Sequence, residues 1–179
     1  MLPQQPGLFY NLDPQMPKPN PSLTHIDGSG NAHMVDVAEK AMTTRTAQAC
    51  GYLHLSAPAL HALEANSLKK GNPISVAQLA GIMGAKRTAD LIPLCHPLPL
   101  SKVSVQIELD PSKSHLCVSA DVKTTGQTGV EMEALTAVSI ACLTLYDMLK
   151  AVDKGLRIGP IELNEKTGGK SGDFRRNPA

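Results

Sequence analysis

The sequence predicts an α+β fold in which helices pack on one face of a mainly antiparallel sheet. Residues 102–109 and 115–124 alternate between apolar and polar side chains, which is typical of half-buried strands. The turn residues at 110–114 join these two strands into a hairpin. A long helical pattern follows, and runs of antiparallel strands followed by helices are typical of α+β domains.

Proline content divides the chain into an extension and a domain. Residues 1–22 hold six of the 14 prolines and show no hydrophobic periodicity, which is typical of a flexible extension. The rest of the sequence predicts one domain over residues 23–176, which is long enough for a sizeable core. Residues 177–179 form a short tail.

The elements of this domain follow from local signals. Ser56 precedes a short helical pattern with Pro58 in its first turn, as a helix N-cap does. A second helical pattern at 75–88 has a side of small residues, which allows close packing against another element. Pro160 places the last strand at a sheet edge or at a bulge. The predicted order is a strand at 34–37, a strand at 43–55, these two helices, the hairpin, the long helix and a strand at 156–163.

Composition limits the classes of function. A formal net charge of +1 and an aromatic content of 3% argue against a nucleic-acid-binding module. We find no apolar run long enough to cross a bilayer and no secretory leader, so we expect no membrane association. The four cysteines lack close CxxC pairing, which favours a reducing compartment, the cytoplasm. An enzyme, an anion-binding module and a structural oligomer remain as candidate classes.

The long helical pattern runs from residue 130 to residue 154, which corresponds to about 36 Å. One side is apolar and predicts packing on the core. The opposite side carries Glu133, Asp147 and Lys150, and Asp147 can meet Lys150 because they are three residues apart. Two interpretations remain open from the pattern alone: a solvated face with helix-stabilising ion pairs, or a stripe of carboxylates and an ammonium group for acid/base chemistry.

A stiff loop follows the second helix. Two prolines bracket it and restrict the backbone on both sides. Its residues are Pro93, Leu94, Cys95, His96 and Pro97. A buried cysteine beside a hydrogen-bonded histidine is the structural interpretation of this pattern. Adjacent side chains rarely point at each other, and two ligands are too few for a structural zinc ion, so we exclude a nucleophile–base pair and a metal centre here.

Cationic side chains in three places are candidates for anion binding. The C-terminal stretch from Lys166 to Lys170 combines lysines with glycines, whose amides can approach a phosphate closely. It resembles the end of a P-loop, but the leading glycine is absent and no helix follows, which argues against a P-loop nucleotide triphosphatase and favours an anion-binding tail that its ligand orders. Lys70 precedes a glycine in a loop and Arg45 lies in a predicted strand. By residue type alone, both are ordinary surface cations.

Four stretches of the chain carry a family resemblance. They are LTHIDGSGNAHMVDV at 23–37, AKRTADLIPLCHPL at 85–98, TGVEMEALTAVSIACLTLYDMLKAV at 128–152 and KTGGKSGDF at 166–174. With these motifs the chain closely resembles the molybdenum cofactor biosynthesis protein C family, the cyclic pyranopterin monophosphate synthases. The resemblance covers about residues 23–176, and its motifs are long and specific.

The resemblance implies a lyase of molybdenum cofactor biosynthesis. Members of this family convert 3′,8-cyclo-7,8-dihydroguanosine triphosphate, which a radical partner enzyme makes from GTP, into cyclic pyranopterin monophosphate with release of pyrophosphate. A ferredoxin-like fold and a homohexamer, a trimer of dimers with active sites between subunits, are also implied. We expect no tightly bound cofactor and no dedicated metal site, and any Mg²⁺ would arrive with the substrate triphosphate.

The resemblance also implies which residues are catalytic. Asp147, Lys150 and Lys70 match the family's catalytic positions, and we expect Asp147 and Lys150 to transfer protons during ring rearrangement. A lysine acts as a base near neutral pH when its pKa is lowered. We therefore expect neighbouring cations, Lys70 and Lys166, to lower the pKa of Lys150.

Nine positions are candidates for substrate binding, and all of them except Lys170 match active-site or substrate-contacting residues of the family. We expect Arg45, Lys166 and Lys170 to bind the triphosphate. His96 and Glu133 are expected to orient the guanine-derived ring. The full set is Arg45, Leu94, Cys95, His96, Glu131, Met132, Glu133, Lys166 and Lys170.

Overall fold

The computed structural model describes residues 25–26, 29–65 and 71–177 of the chain. Contacts divide the chain into one unit at Met1–His33 and a larger unit at Met34–Ala179. In the first unit, Ile26 and Ala32 form an antiparallel bridge. The predicted extension at 1–22 lies outside the described residues.

Within the described residues of the larger unit, five strands form one sheet. They are β1 (Thr43–His54), β2 (Leu100–Asp110), β3 (His115–Gly126), β4 (Arg157–Thr167) and β5 (Phe174–Arg175). The spatial order is β2-β3-β1-β4-β5, and each neighbouring pair is antiparallel. The predicted α+β class with an antiparallel sheet is confirmed, and the arrangement is consistent with a ferredoxin-like fold.

Four α-helices accompany the sheet in the part of the chain that the structure describes. They are α1 (Ala57–Glu64), α2 (Pro73–Lys86), α3 (Thr88–Leu91) and α4 (Glu131–Leu149), and a 3₁₀ turn at Pro111–Lys113 joins β2 to β3. Helices α2 and α4 pack on each other. Helix α2 also lies on β2, and α4 lies on β1, β3 and β4. The strands and α4 therefore enclose the main core.

Side-chain caps explain where the helices begin and end. The Ser56 hydroxyl accepts a hydrogen bond from the Ala59 amide at 3.4 Å, as the sequence predicts. Asn72 caps α2 through the Ile74 amide at 2.9 Å, so this helix begins before the predicted residue 75. Helix α4 ends before residue 154, and just beyond it the Asp153 carboxylate accepts from the Gly155 amide in a turn at 2.7 Å.

Residues 34–37 are irregular, so the strand predicted there is wrong. The Asp36 carboxylate accepts a hydrogen bond from the Ala38 amide at 2.9 Å. Aspartate side chains that bond to the backbone two residues ahead stabilise turns. This local turn is favoured over a β-strand, because a strand of four residues would form few hydrogen bonds with a neighbouring strand.

Small residues allow α2, α4 and the sheet to approach closely. A Cβ at Gly51 in β1 would lie 2.6 Å from Cγ1 of Val138 in α4, closer than real Cβ contacts allow. A Cβ at Gly81 in α2 would lie 2.9 Å from the Ala137 carbonyl oxygen. The predicted small-residue side of α2 is therefore confirmed as a packing surface.

Pro160 lies where the sequence places a bulge. The register between β1 and β4 shifts between Gly51 and Leu53, opposite the segment that contains Pro160. Proline cannot donate to a ladder, so an irregular register accommodates it. The predicted bulge is confirmed.

The expectation that no segment could span a bilayer needs correction for α4. By length and composition this helix is long and apolar enough to pass as a membrane span, with a mean hydropathy of 1.4. However, 56% of that window is buried inside the unit, and the helix packs on the sheet and on α2. Core packing accounts for its apolar side.

Candidate active site

The polar stripe of α4 is buried near its N-terminus and exposed near its C-terminus. Glu133 and Thr136, near its N-terminus, are buried, with Glu133 only 4% exposed. Asp147 and Lys150, at the other end, are exposed. The interpretation as a solvated face is therefore wrong for the first half of the stripe and fits the second half.

Burial raises the pKa of the Glu133 carboxyl group. Desolvation raises its pKa to about 7, the nearby Glu131 carboxylate adds to the rise, and a backbone hydrogen bond partly opposes it. A carboxyl group with this pKa is partly protonated at neutral pH. It can therefore give or take a proton under physiological conditions.

Arg45 in β1 is buried rather than a surface cation, because its side chain and backbone are only 8% exposed. Its Nε donates a hydrogen bond to the Gly126 carbonyl at 2.9 Å. A Cβ at position 169 would overlap the Arg45 guanidinium, and Gly169 has a φ of +86°, so glycine is needed there for space and for backbone conformation. In the described part of the chain, no carboxylate lies within ion-pair distance of Arg45.

Lys166 reaches the same region from the end of β4. Its Nζ donates to the Ser171 hydroxyl at 2.5 Å and lies 3.7 Å from Oε1 of Glu131. The glycine-rich segment that follows is folded back by the Asp173 carboxylate, which accepts from the Gly168 amide at 3.0 Å. Lys166 is only 18% exposed, so its ammonium group is held in place.

These side chains line a cavity of about 890 Å³. Its cations are Lys40, Arg45, Lys166 and Lys170, and its anions are Glu39 and Glu131. The remaining lining residues are Ala41, Thr43, Gln127, Thr128, Gly129, Gly169 and Ser171. The cavity thus carries an excess of positive charge, which suits an anionic ligand.

The stiff loop after α3 lies near Glu133. Burial raises the pKa of the Cys95 thiol, and the Glu133 carboxylate raises it further, which places the two groups within electrostatic reach. The thiol stays protonated at neutral pH, as expected for a residue that is not a nucleophile. Leu94 and His96 are partly buried and Met132 is 36% exposed. The described lining of the cavity does not include these residues.

Asp147 and Lys150 form an ion pair at the C-terminal end of α4. Lys150 Nζ lies 2.6 Å from Asp147 Oδ1, and the two side chains are 50% and 55% exposed, respectively. The hydrogen bond to Asp147 and its charge raise the pKa of Lys150. In the single chain the pKa therefore moves opposite to the expected lowering, because the group that contacts Lys150 is an anion.

The predicted site residues fall into two groups at opposite ends of α4. Glu131 and Asp147 are separated by about 24 Å along the helix axis, given the rise per residue of an α-helix. Arg45, Lys166 and Lys170 join the first group, and Lys150 joins the second. Lys70 lies outside the described residues. One chain therefore does not bring all predicted residues together.

Several cavity residues were missed from the sequence. Thr43 had a usable signal, because it lies two residues before Arg45 on β1 and so faces the same side of the sheet. Lys40 and Gln127 had no such sequence signal, because they lie in irregular segments. A hydrogen bond from Gln127 Nε2 to the Ala38 carbonyl at 2.9 Å holds these segments together.

Acidic, histidine and cysteine side chains are the usual protein ligands of metal ions. Within the described residues, no group of three or more is arranged to hold a metal ion. The carboxylates that line the cavity are Glu39 and Glu131.

Comparison with known proteins places this chain in a family. The sequence pattern of the MoaC family matches residues 34–169. A cyclic pyranopterin monophosphate synthase of Cereibacter sphaeroides (strain ATCC 17029 / ATH 2.4.9) is 60% identical over 152 residues, 85% of this chain and 96% of the relative. Those of Parvibaculum lavamentivorans and Nostoc sp. (strain PCC 7120) are 58% identical over 153 residues and 56% identical over 158 residues. These matches cover 86% and 88% of this chain and 96% and 94% of the relatives, respectively.

The matched range runs from just before the cavity residues at 39–45 to Gly169 and so contains both ends of α4. Relatives at this identity are matched over nearly their whole length. The chain belongs to the MoaC family.

Proposed function

We propose that this chain is a cyclic pyranopterin monophosphate synthase of molybdenum cofactor biosynthesis. It is a lyase that converts 3′,8-cyclo-7,8-dihydroguanosine triphosphate to cyclic pyranopterin monophosphate and releases pyrophosphate. Relatives that are 55–60% identical over most of the chain carry this name. The motifs that implied the reaction lie in or directly beside the matched range.

The buried guanidinium of Arg45 is the structural observation that carries the proposal. A buried charge is stable when it is paired, yet within the described residues Arg45 has a backbone carbonyl as acceptor and no carboxylate. Lys166 and Lys170 line the same cavity. A triphosphate would supply the missing negative charge, and arginine can bind phosphate oxygens through two parallel hydrogen bonds.

Glu133 is the group of the N-terminal end that we assign to proton transfer. Opening the purine and building the pterin ring both require protons to move between ring nitrogens and carbons. A carboxyl group with a pKa of about 7 can do this in both directions at neutral pH. Glu133 lies within electrostatic reach of Cys95, so we place the guanine-derived ring between α4 and the stiff loop, where His96 would orient it.

Asp147 and Lys150 supply the second set of proton-transfer groups. In the single chain, the raised pKa of Lys150 keeps its side chain in the ammonium form, which carries the proton that this pair would transfer. Lys70 joins this set by its match to the family's catalytic positions. Each such group typically contributes about 10²–10⁴-fold to the rate.

We propose that a second copy of the chain completes the site. The cationic cavity and the Asp147–Lys150 pair lie about 24 Å apart on one helix, too far to act on one reacting ring. A homodimer with two-fold symmetry would bring the C-terminal end of α4 in one copy to the N-terminal end in the other, twice. The homohexamer, a trimer of dimers, contains three such pairs.

We propose a cytoplasmic enzyme that binds no cofactor tightly. The substrate comes from a radical enzyme that acts on GTP, and any Mg²⁺ comes bound to the triphosphate. Glu39 and Glu131 are the cavity carboxylates near which such an ion would lie.

A direct assay tests the function. The purified chain is incubated with the cyclic dihydroguanosine triphosphate, and pyrophosphate and the pterin product are measured. We expect both products in equal amounts. Tight binding of the substrate without product would favour an anion-binding module, and neither binding nor product would favour a structural oligomer.

A further inference from the structure

The hydroxyl oxygen of Thr43 is buried and lacks a hydrogen-bond partner among the described residues. Buried polar side-chain atoms nearly always have such a partner. A threonine hydroxyl can donate one hydrogen bond and accept others, so a partner is easy to provide. Every other buried side-chain nitrogen or oxygen of the described residues has one. The exception needs a physical explanation.

Thr43 belongs to the wall of the cationic cavity. It lines this cavity together with Arg45 and Lys166. Residues two apart on a strand face the same side, and their Cα atoms are about 6.6 Å apart. Thr43 is also paired across the sheet with Gly126, whose carbonyl oxygen accepts the hydrogen bond from Arg45. Thr43 and Arg45 are therefore neighbours on one side of the sheet, in the wall of the same cavity.

We propose that the Thr43 hydroxyl is a substrate-binding donor, which gives a hydrogen bond to an oxygen of the phosphate that Arg45 binds. The inference rests on the proposed function, because it takes a triphosphate as the anion. The phosphate supplies the acceptor that the free protein lacks. Thr43 as a residue is only partly buried, and rotation about χ1 exchanges the positions of the hydroxyl and the methyl group. The proposal requires this rotation to turn the hydroxyl toward the bound phosphate.

The unpartnered hydroxyl predicts opposite effects on folding and on binding. In the free protein it contributes no hydrogen bond, so replacing it by a methyl group should leave the stability unchanged or raise it. In the complex the same replacement removes a hydrogen bond to a charged group. A hydroxyl with a merely structural role would not separate the two effects.

The test compares Thr43→Val, which keeps the shape, with Thr43→Ser, which keeps the hydroxyl. Binding of inorganic triphosphate to the full chain is measured by calorimetry, and the melting temperature is measured without ligand. We expect Thr43→Val to raise the Kd about 10-fold with an unchanged or higher melting temperature. Thr43→Ser should bind within about 3-fold of the unchanged chain. An unchanged Kd in Thr43→Val, or equal losses in both variants, would overturn the proposal.

Two further variants make the result specific. Thr46→Val removes a hydroxyl from the same strand that is paired with Thr167 at 2.7 Å and lies outside the cavity lining, so triphosphate binding should not change. Lys166→Ala reports on the cavity itself. Weaker binding in Lys166→Ala but not in Thr43→Val would overturn the role of Thr43 alone. Unchanged binding in both would remove the triphosphate from this cavity. If Thr43→Val does not fold, Thr43→Ala takes its place with the same expected rise in Kd.

Discussion

The two ends of helix α4 carry their charged side chains in opposite settings. At the N-terminal end, Glu133 is 4% exposed and desolvation raises its pKa to about 7. At the C-terminal end, Asp147 and Lys150 pair at 2.6 Å with about half of each side chain exposed. The first end carries a buried carboxyl group that is partly protonated at neutral pH, whereas the second end carries an ion pair of the kind found on many helix surfaces.

The difference shows that burial, rather than the type of charged residue, decides the chemistry of each end. Water and salt screen an exposed ion pair, so the Asp147–Lys150 pair contributes little to the free energy of unfolding of the single chain. The proposed assembly gives them a role, because the N-terminal end of α4 in a second copy would cover them. The cations of that cavity would then oppose the effect of Asp147 on the pKa of Lys150.

Removing Lys150 should produce the largest effect. We expect Lys150→Ala to lower turnover at least about 10²-fold, because a proton-transfer group is lost. The melting temperature and the oligomeric state should not change, since the side chain is half exposed. Pyrophosphate release from the purified variant measures the turnover.

Lys154→Ala is the matched control for this prediction. Lys154 is an exposed lysine near the same end of α4, and we assign it no role in the site. It should keep near-normal turnover. Near-normal turnover in Lys150→Ala as well would remove the C-terminal end of α4 from the active site.

The buried carboxyl group of Glu133 should make stability depend on pH. Its pKa rises from 4.5 to about 7 on folding, so between these values the folded state binds more protons than the unfolded state. Stability should therefore fall as the pH rises through this window, by about 3 kcal/mol from this group. Urea denaturation at pH 5 and pH 8 measures the fall, and Glu133→Gln should reduce it.

Glu108→Gln provides the comparison, because Glu108 is an exposed glutamate on β2, on the far side of β3 from β1. This variant should lose stability between pH 5 and pH 8 as the unchanged chain does. If Glu133→Gln loses as much stability between pH 5 and pH 8, ionisation of Glu133 does not destabilise the folded state. The contrast between the two ends of α4 would then be wrong.

Removing single cations of the cavity should have smaller effects, and Lys166 and Lys170 should differ in how much they contribute to triphosphate binding. Lys166 is 18% exposed and held by Ser171, whereas Lys170 is exposed. We expect Lys166→Ala to weaken binding of inorganic triphosphate about 10-fold and Lys170→Ala about 2-fold, because exposed charges are screened. Calorimetry at two salt concentrations measures both values. Equal losses would show that burial does not set the strength of these contacts.

Periodicity located the elements with long, regular patterns. The alternation in β2 and β3 and the apolar side of α4 were sufficient to predict the hairpin and the core helix. Patterns of a few residues were not sufficient. The strand predicted at 34–37 is irregular, and the two residues of β5 were missed, because side-chain turns and pairing with a neighbour decide such short segments.

The sequence does not predict the environment of the candidate site residues. The motifs indicated Arg45, Glu133 and Lys150, but burial of Arg45 depends on Gly169, which is more than a hundred residues away in the chain. The pKa of Lys150 depends on which charge lies beside it. The unpartnered hydroxyl of Thr43 is a property of the packed structure. Contacts within the folded structure determine all three of these properties, and a local sequence pattern does not predict such contacts.

Mixing two inactive variants tests most directly whether two chains share one site. Glu133→Gln removes the proton-transfer group at the N-terminal end of α4, and Lys150→Ala removes the one at the C-terminal end. If each site takes one end from each copy, random re-association of equal amounts should restore about a quarter of the sites to the unchanged composition. We therefore predict about a quarter of the normal turnover after mixing under conditions that exchange subunits. Activity no higher than that of the two variants measured separately would contradict a site completed by a second copy.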